Sequence, residues 1–558
     1  MLAQPPHILL ERPRNSIALG LMAPESPRRF YKFLLTLRSS SIRWTVCVAS
    51  TSNGGCYSPR TWDLHSARPL PMTSIIRLWS IVFLLWTSLV FAADCSYRNP
   101  VLLGDFPDPS VIRVGHDYYA TATEPGWAPL FSIAHSIDLV HWRIVGAVFD
   151  DPPAWSVSNY WAPELVHYRD KFYVYYTARR KDGPLCVAAA VADSPSGPYT
   201  DRGPLVCQDD GSIDGAHFVD GDGQRYLIWK EDGNSRRVPS VIWMQRLAQD
   251  GVTLQGAPWE IIRNDRRWEG KVVEGPYLLE RGGWYYLFYS GGACCGEQCN
   301  YALGVARARS LDGPWEKHPG NPILTGNDDW RCPGHGTIVK AANQRTYFLY
   351  HSYSTQDFVR GGRFGLLDEV TWGSDGWPSI NAAQGPTIVA ISPERCSDER
   401  ALDVNVDEFI ESNHAPAWQW PIGQRPELAF VRDRGGWLDV SVPAASERTE
   451  VVIGKRAPPG KYIATTLVDL AAARAGASAG LAAYASAQQF VALTAGDGQV
   501  TLWSREGGRE MVLARVALGA AKLVQIRMVR TPEAGFRFTP LTRRLTRSPS
   551  TPTLGSRA

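Results

Sequence analysis

The feature that most restricts how this chain can fold is a fivefold internal repeat. Short aromatic strands recur at Asp117–Thr121, Lys171–Tyr175, Arg225–Trp229, Trp284–Phe288 and Thr346–Tyr350. From Tyr118 through Phe172, Tyr226, Tyr285 and Tyr347 the spacings are 54, 54, 59 and 62 residues. Such runs of β-formers bounded by Gly, Asp and Pro read as strands, and a period in this range is the mark of a repeat architecture. A further strand follows each one, and several repeats contain a polar turn ending in an aromatic, as at Ser136–Trp142, Asp193–Tyr199 and Ser310–Trp315. No helical pattern intervenes. Several strands per period predict the four-stranded blades of an all-β, five-bladed β-propeller, placed over residues 97–395. A β-sandwich would also supply strands, but sandwiches do not usually repeat one pattern five times.

Beyond residue 400 the repeat stops. Segments such as Gly435–Val442, Ala479–Tyr484 and Gly498–Trp503 read as short strands again, so a separate C-terminal β-sandwich is expected over 403–540. The Arg/Ser/Thr/Pro-rich stretch 541–558 is expected to be a disordered tail. At the other end, Arg77 is followed by an apolar run from Leu78 to Ala92 and by the small residues Ala92 and Ala93. That is the layout of a secretory signal peptide over 72–93, and its apolar run falls short of the roughly 20 residues that span a bilayer. Residues 1–71 show no apolar period, so translation is expected to begin at Met72, with 1–71 a non-native or disordered leader.

The formal charge of +3 comes from the two ends. Residues 1–71 hold nine Lys/Arg against three acids and 541–558 hold four Arg and none, which leaves about −7 for 72–540. A mildly acidic body without a basic stripe argues against nucleic acid as a partner, and no membrane anchor is expected once the signal is cleaved.

Just upstream of the aromatic strands lie Asp108, Glu164, Asp214, Glu274 and His335. The first strand of every propeller blade lines the central channel, so equivalent positions in five blades converge on one axis. Collected carboxylates repel one another and raise pKa values; such a cluster points to function rather than stability. Glycosidic cleavage needs this set: an acid for the leaving oxygen, and a second carboxylate as base on water or as nucleophile. A third can hold the acid's pKa high. Trp127 and Trp161 are candidate stacking platforms for a sugar ring, although buried core roles suit them equally.

At these residues the chain resembles glycoside hydrolase family 43. The matching motifs are Asn99–Leu102 leading into Pro107–Ser110, Tyr160–Glu164, Ile213-Asp214 before Asp220–Gly223, Val273–Pro276, and Gly362-Arg363 followed by Val370–Trp372. The resemblance implies an inverting hydrolase of plant cell-wall oligosaccharides or polysaccharides. On it Asp108 is the general base, Glu274 the general acid, and Asp214 the residue that raises and orients the acid. Arg363 would bind sugar hydroxyls, and Glu164 is either a substrate contact or structural. No cofactor is required, and a Ca²⁺ ion near His335 is left open, since related arabinanases carry a metal ion or a water cluster there. Activities compatible with this frame are α-L-arabinofuranosidase, β-xylosidase and endo-1,5-α-L-arabinanase. The sandwich and the segment Pro239–Met244 resemble exo-acting members. The alternative from another class is a non-catalytic carbohydrate-binding propeller.

Eight cysteines follow the signal, an even number that favours disulfides in an exported chain. Cys186 opens one strand and Cys207 closes the next, so these two are expected to pair. Cys294 or Cys295 with Cys299 is the second expected bridge. No CxxC pair or neighbouring His suggests zinc.

Overall fold

The computed structural model describes residues 95–124, 126–356, 361–394, 409, 418–431, 436–441, 450–458, 460–531 and 535–542. The leader, the signal segment and residues 543–558 lie outside the described residues.

Five four-stranded antiparallel sheets follow one another along the chain. Blade 1 holds Ser110–Val114, Asp117–Thr121, Leu130–Ser136 and Arg143–Phe149; blade 2 holds Ser156–Tyr168, Lys171–Arg180, Leu185–Ala192 and Thr200–Val206. Blade 3 holds Ser212–Val219, Arg225–Glu231, Val241–Leu247 and Leu254–Arg263. Blade 4 holds Val273–Arg281, Trp284–Gly291, Ala302–Ala308 and Glu316–Lys317; blade 5 holds Trp330–Lys340, Thr346–Ser354, Phe364–Trp372 and Pro378–Ile380. The aromatic repeat of the sequence is the second strand of each blade.

The repeat exists because no blade can bury both its faces alone. Its apolar residues are shared out among five clusters, each at the junction of two neighbouring blades. One of them joins Val111, Tyr118 and Ala120 of blade 1 to Val339, Tyr347 and Leu367 of blade 5, and so closes the ring. The closure has a polar lock. Asn99 donates its side-chain amide to the Leu367 carbonyl at 3.0 Å and accepts the Leu367 N–H at 2.9 Å. Just before it, Ser96–Arg98 pairs with Val389–Ile391, so the two ends of the propeller hold each other.

The sandwich is present as well. A three-stranded sheet (Tyr462–Asp469, Leu523–Thr531, Gly535–Thr542) faces a four-stranded one (Ser478–Ser486, Gln489–Gly496, Gln499–Glu506, Arg509–Ala517). Val468, Leu493, Val500, Leu502, Ile526 and Phe538 are among the residues that fill the space between them. The last strand runs to Thr542, two residues into the stretch expected to be tail. A two-residue pairing, Trp420–Pro421 against Trp127–Ala128, ties the segment before the sandwich to blade 1.

Three disulfides form among the described residues. Cys186 pairs with Cys207 as expected. The second expectation is corrected: Cys294 pairs with its neighbour Cys295, and Cys299 pairs with Cys332. Cys332 adopts a left-handed conformation (φ 56°) in the inner strand of blade 5, a location that put it outside the local loop on which the expectation rested.

Replacing Asn99 with Ala leaves the buried Leu367 N–H without its partner, while the Leu367 carbonyl keeps the Tyr97 hydroxyl. A loss of about 1–3 kcal/mol is expected for the orphaned group, read as a lower denaturant midpoint for the propeller transition. An unmoved midpoint would show that the ring closes without this lock.

Candidate active site

On or just before the inner strand of each blade a residue with positive φ recurs: Asp108 (52°), Ala162 (43°), Asp214 (57°), Gly275 (58°) and His335 (41°); Asn159 and Cys332, earlier on the inner strands of blades 2 and 5, are left-handed as well. In blades 2 to 5 the ladder to the second strand skips here, as a β-bulge does. The bulge re-aims the backbone N–H toward the preceding blade. Ala162 donates to Thr123 Oγ1 at 2.7 Å, Asp214 to Thr177 Oγ1 at 3.1 Å, and His335 to Ser290 Oγ at 2.9 Å. Asp108 donates to His351 Nδ1 at 3.1 Å and completes the circle between blades 1 and 5. Left-handed backbone costs an L-residue of order 1–3 kcal/mol; Asp, His and Gly tolerate it better than most.

These bulges correct the phase read from the sequence. The residues in equivalent conformation lie 10, 10, 12, 10 and 12 positions before the marker aromatics. Glu274 sits one residue before its bulge and Glu164 two after, so neither is the strict counterpart of Asp108. The shift decides where each carboxylate points. Glu274 shares its register position with Trp161 and Ile213: their ladder partners on the second strands are Ser290, Thr177 and Lys230. Glu164 reaches into the narrow axial cavity, with Ser110, Ala216, Pro276 and Thr337.

Blade 3 breaks the pattern of the circle. Where its neighbours have a hydroxyl or imidazole acceptor, it has Lys230, which cannot accept. The Gly275 N–H therefore turns to Asp214 Oδ2 at 2.9 Å, and Lys230, 1% exposed, reaches Glu274 Oε2 at 2.7 Å and Asp232 Oδ1 at 2.8 Å.

Around Asp108 the partners are cationic or donate. Arg363 Nη1 donates to Oδ1 at 3.0 Å, Thr123 Oγ1 donates to Oδ2 at 2.7 Å, and His335 Nδ1 stands 3.4 Å from Oδ1. Burial pushes this carboxyl up, but Arg363, His335 and His351 together outweigh it and hold it well below the usual range. His351 Nδ1 also lies 3.1 Å from Oδ1, yet one nitrogen cannot both accept the Asp108 N–H and donate to its carboxylate. Burial and Arg363 lower His351 to about 4, so the neutral ring that accepts the backbone bond is the consistent form, and the ion pair with Arg363 carries the ionisation. Arg363 is thus committed to Asp108, with its side chain only 14% exposed.

Asp214 behaves in the opposite way. Burial pushes it up to about 6, with the charges of Glu274 and Asp108 adding and those of His335 and Lys230 subtracting. For Glu274 burial also raises the pKa, but Lys230 outweighs it, aided by the facing Tyr301 hydroxyl and by His335, and the carboxyl is held below its ordinary range. In the free protein the directions run against the expectation that Asp214 raises Glu274: Asp214 is pushed up and Glu274 is held down. The physical reason is Lys230, a cation at the end of an aromatic strand; a lysine inside an otherwise apolar run was the signal available for it.

His335 lies between Asp108 and Asp214, 3.9 Å from Asp214 Oδ2. Trp161 is half-buried at the register position of Glu274. Trp127 is not brought to the carboxylates by any contact described: its ring packs edge-on against Tyr484 of the sandwich at 5.6 Å and against Gly454. Glu164 gains a backbone N–H from His217, and burial pushes it up to about 8. The cavity beside His335 is lined by the carboxyl groups of Asp108, Glu164 and Asp214, whereas Ca²⁺ takes 6–8 oxygen ligands. Among the described residues no group of three or more His, Cys, Asp or Glu is placed to hold a metal.

The model of glycosyl hydrolases family 43 matches residues 97–378, just over half of the chain. The chain belongs to that family. It is a glycoside hydrolase whose homologues include xylosidases and arabinosidases, and the beta xylosidase C-terminal concanavalin A-like domain matches residues 406–540. Xylosidase/arabinosidase 43B of Humicola insolens is 29% identical over 434 residues, 73% of this chain and 78% of the relative. The non-reducing end alpha-L-arabinofuranosidase BoGH43B of Bacteroides ovatus is 29% identical over 55% of this chain and 58% of its own length. Among solved structures, the family 43 protein BlXynB of Bacillus licheniformis superposes with a TM-score of 0.66 at 26% identity, covering 80% of this chain and 88% of that one.

Two outcomes test these electrostatics. Catalysis that needs Asp108 ionised and one proton on the Asp214–Glu274 pair persists well below pH 4 on its acid side and fades as pH rises through about 6. Lys230→Met removes the cation that favours the ionised pair, so the alkaline limb of kcat/KM moves up by about one unit or more; a limb that stays put would remove Lys230 from this role. Separately, Glu164 binds a proton in the folded state between its ordinary value of 4.5 and about 8, while the unfolded chain has released it. Its contribution to stability therefore falls as pH rises across that window. Glu164→Gln should raise the melting temperature by a few degrees at pH 8 and by little at pH 4.5; an equal gain at both pH values would contradict the assignment.

Proposed function

We propose that the chain is an exported, exo-acting, inverting glycosidase that releases single xylosyl or arabinofuranosyl units from plant cell-wall polysaccharides. The observation that carries the mechanism is the asymmetry of the three carboxylates: one held ionised by Arg363, the other two shifted in opposite directions beside Lys230. Asp108 activates a water molecule for attack at the anomeric carbon. The Asp214–Glu274 pair delivers the proton to the departing oxygen through Glu274, with Asp214 as the reserve that keeps the proton in the site. General acid assistance of this kind is worth ~10²–10⁴-fold. Trp161 lines the sugar's apolar face on this reading.

The exo reading is supported by the C-terminal sandwich, which matches the beta xylosidase C-terminal domain. It is also supported by relatives whose names specify xylosidase or non-reducing end arabinofuranosidase activity. Export is supported by the three disulfides, which persist in oxidising compartments, and by the signal pattern over 72–93.

Nitrophenyl xyloside and arabinofuranoside, compared with polymeric arabinan, separate the activities. Release of monomer with little change of viscosity is expected, and rapid viscosity loss in arabinan would favour the endo-arabinanase reading. Glu274→Gln should lower kcat on an unactivated oligosaccharide by about 10²–10⁴-fold, and by far less on a substrate with a good leaving group. Unchanged turnover on both would return the chain to the non-catalytic sugar-binding alternative.

A further inference from the structure

We propose that Arg456, contributed by the C-terminal region, is a positioning residue for Asp108, acting through Glu124 and Thr123. The proposal rests on the reading of Asp108 as the base and extends it to a part of the chain that the chemistry does not touch.

Glu124 follows Thr123 just past the second strand of blade 1. Its carboxylate is 3% exposed and is met by two groups from beyond the propeller. Arg456 Nη2 donates to Glu124 Oε2 at 2.5 Å, and Gln419 Nε2 donates to the same oxygen at 2.7 Å. A buried carboxylate is expensive, and removing its cation costs far more than the pair contributes on its own. The Glu124 backbone N–H is bound to the Tyr160 carbonyl at 3.0 Å, so side chain and main chain are fixed together.

One residue earlier, Thr123 has a single admissible orientation. Its hydroxyl accepts the Ala162 N–H at 2.7 Å, which leaves its proton for Asp108 Oδ2, also at 2.7 Å. The Thr123 N–H is bound to the Pro107 carbonyl at 2.9 Å. A shift of Glu124 is therefore passed directly to the carboxylate and to the backbone just before it.

Arg456 grips the same segment a second time. Its guanidinium lies 5.0 Å from the centroid of the Phe106 ring, two residues before Asp108. Its Cβ is so close to Gly104 that any side chain there would come within 2.4 Å. From the other side Arg363 accepts the Phe106 N–H on its carbonyl and donates its own N–H to Asp105, both at 2.7 Å. Residues 104–108 are thus held between two arginines: Arg363 touches the base, and Arg456 sets its position from behind.

A misplacement of ~1 Å in a reacting group can cost about 10²-fold in rate. The test compares Arg456→Met, Arg456→Lys, Glu124→Gln, the Glu124→Gln/Arg456→Met double variant and Tyr484→Ala in the full chain, with kcat, KM and melting temperature for a nitrophenyl glycoside. Tyr484→Ala is the control, because it loosens the Trp127 contact with the sandwich without touching Glu124. The expected result is a kcat about 10- to 100-fold lower in Arg456→Met with KM changed less than about threefold. Lys should restore part of the loss. The double variant should be no slower than Arg456→Met, as residues in one network are non-additive. Tyr484→Ala should keep kcat within about twofold while its melting temperature falls. Wild-type kcat in Arg456→Met, or an equal kcat loss in Tyr484→Ala, would overturn the positioning role. Asp108→Asn runs alongside: if it retains turnover, the base assignment itself fails, and if it alone is inactive, only the Arg456 link does.

Discussion

The site depends on one hydrogen bond repeated around the axis: the N–H of a left-handed residue on each inner strand, given to the blade before it. In four blades the acceptor is a side chain on or just past the second strand, Thr123, Thr177, Ser290 or His351. This contact sets the rotation of each blade against its neighbour, and the same left-handed backbone turns Asp108, Asp214 and His335 inward. Strain in the backbone and placement of the carboxylates are therefore one feature. Without that backbone the acids would follow the ordinary alternation of a strand.

The chemistry comes from the one place where the circle departs from its own rule. Lys230 takes the position of an acceptor, so the Gly275 N–H moves to Asp214, and the freed cation meets Glu274. Asp214 is then bound to the backbone just after Glu274, and burial pushes Asp214 up while Lys230 holds Glu274 down. On the opposite side Arg363 and Thr123 hold Asp108 ionised. Asp108 and Asp214 shift in opposite directions because the charges around them are placed differently, not because their carboxyl groups differ.

Much of this was legible in the sequence. The aromatic repeat reported five blades because second strands must be apolar on both faces, and the Gly/Pro setting of Asp108 and Asp214 marked their turns. Glu274 and Glu164 were read one and two residues out of phase. The bulge residue in blade 4 is a glycine and in blade 2 an alanine, so no polar side chain marked the true position. Lys230, His351 and Thr123 were missed since they lie on or beside second strands, where the eye follows the aromatic run rather than its last polar member. Trp127 was left between a stacking platform and a packing role, and its ring contact with Tyr484, more than three hundred residues away, could not be read locally. Contacts of that range leave no local trace. The Cys299–Cys332 bridge escaped for the same reason.

The account turns on a water molecule activated by Asp108 and attacking opposite the acid pair. Proton NMR of the first-formed sugar, recorded before mutarotation, tests this most directly. Inverted anomeric configuration is predicted, the α anomer from a β-xyloside. Retained configuration would mean that a carboxylate bonds to the sugar, and would contradict the roles assigned to all three.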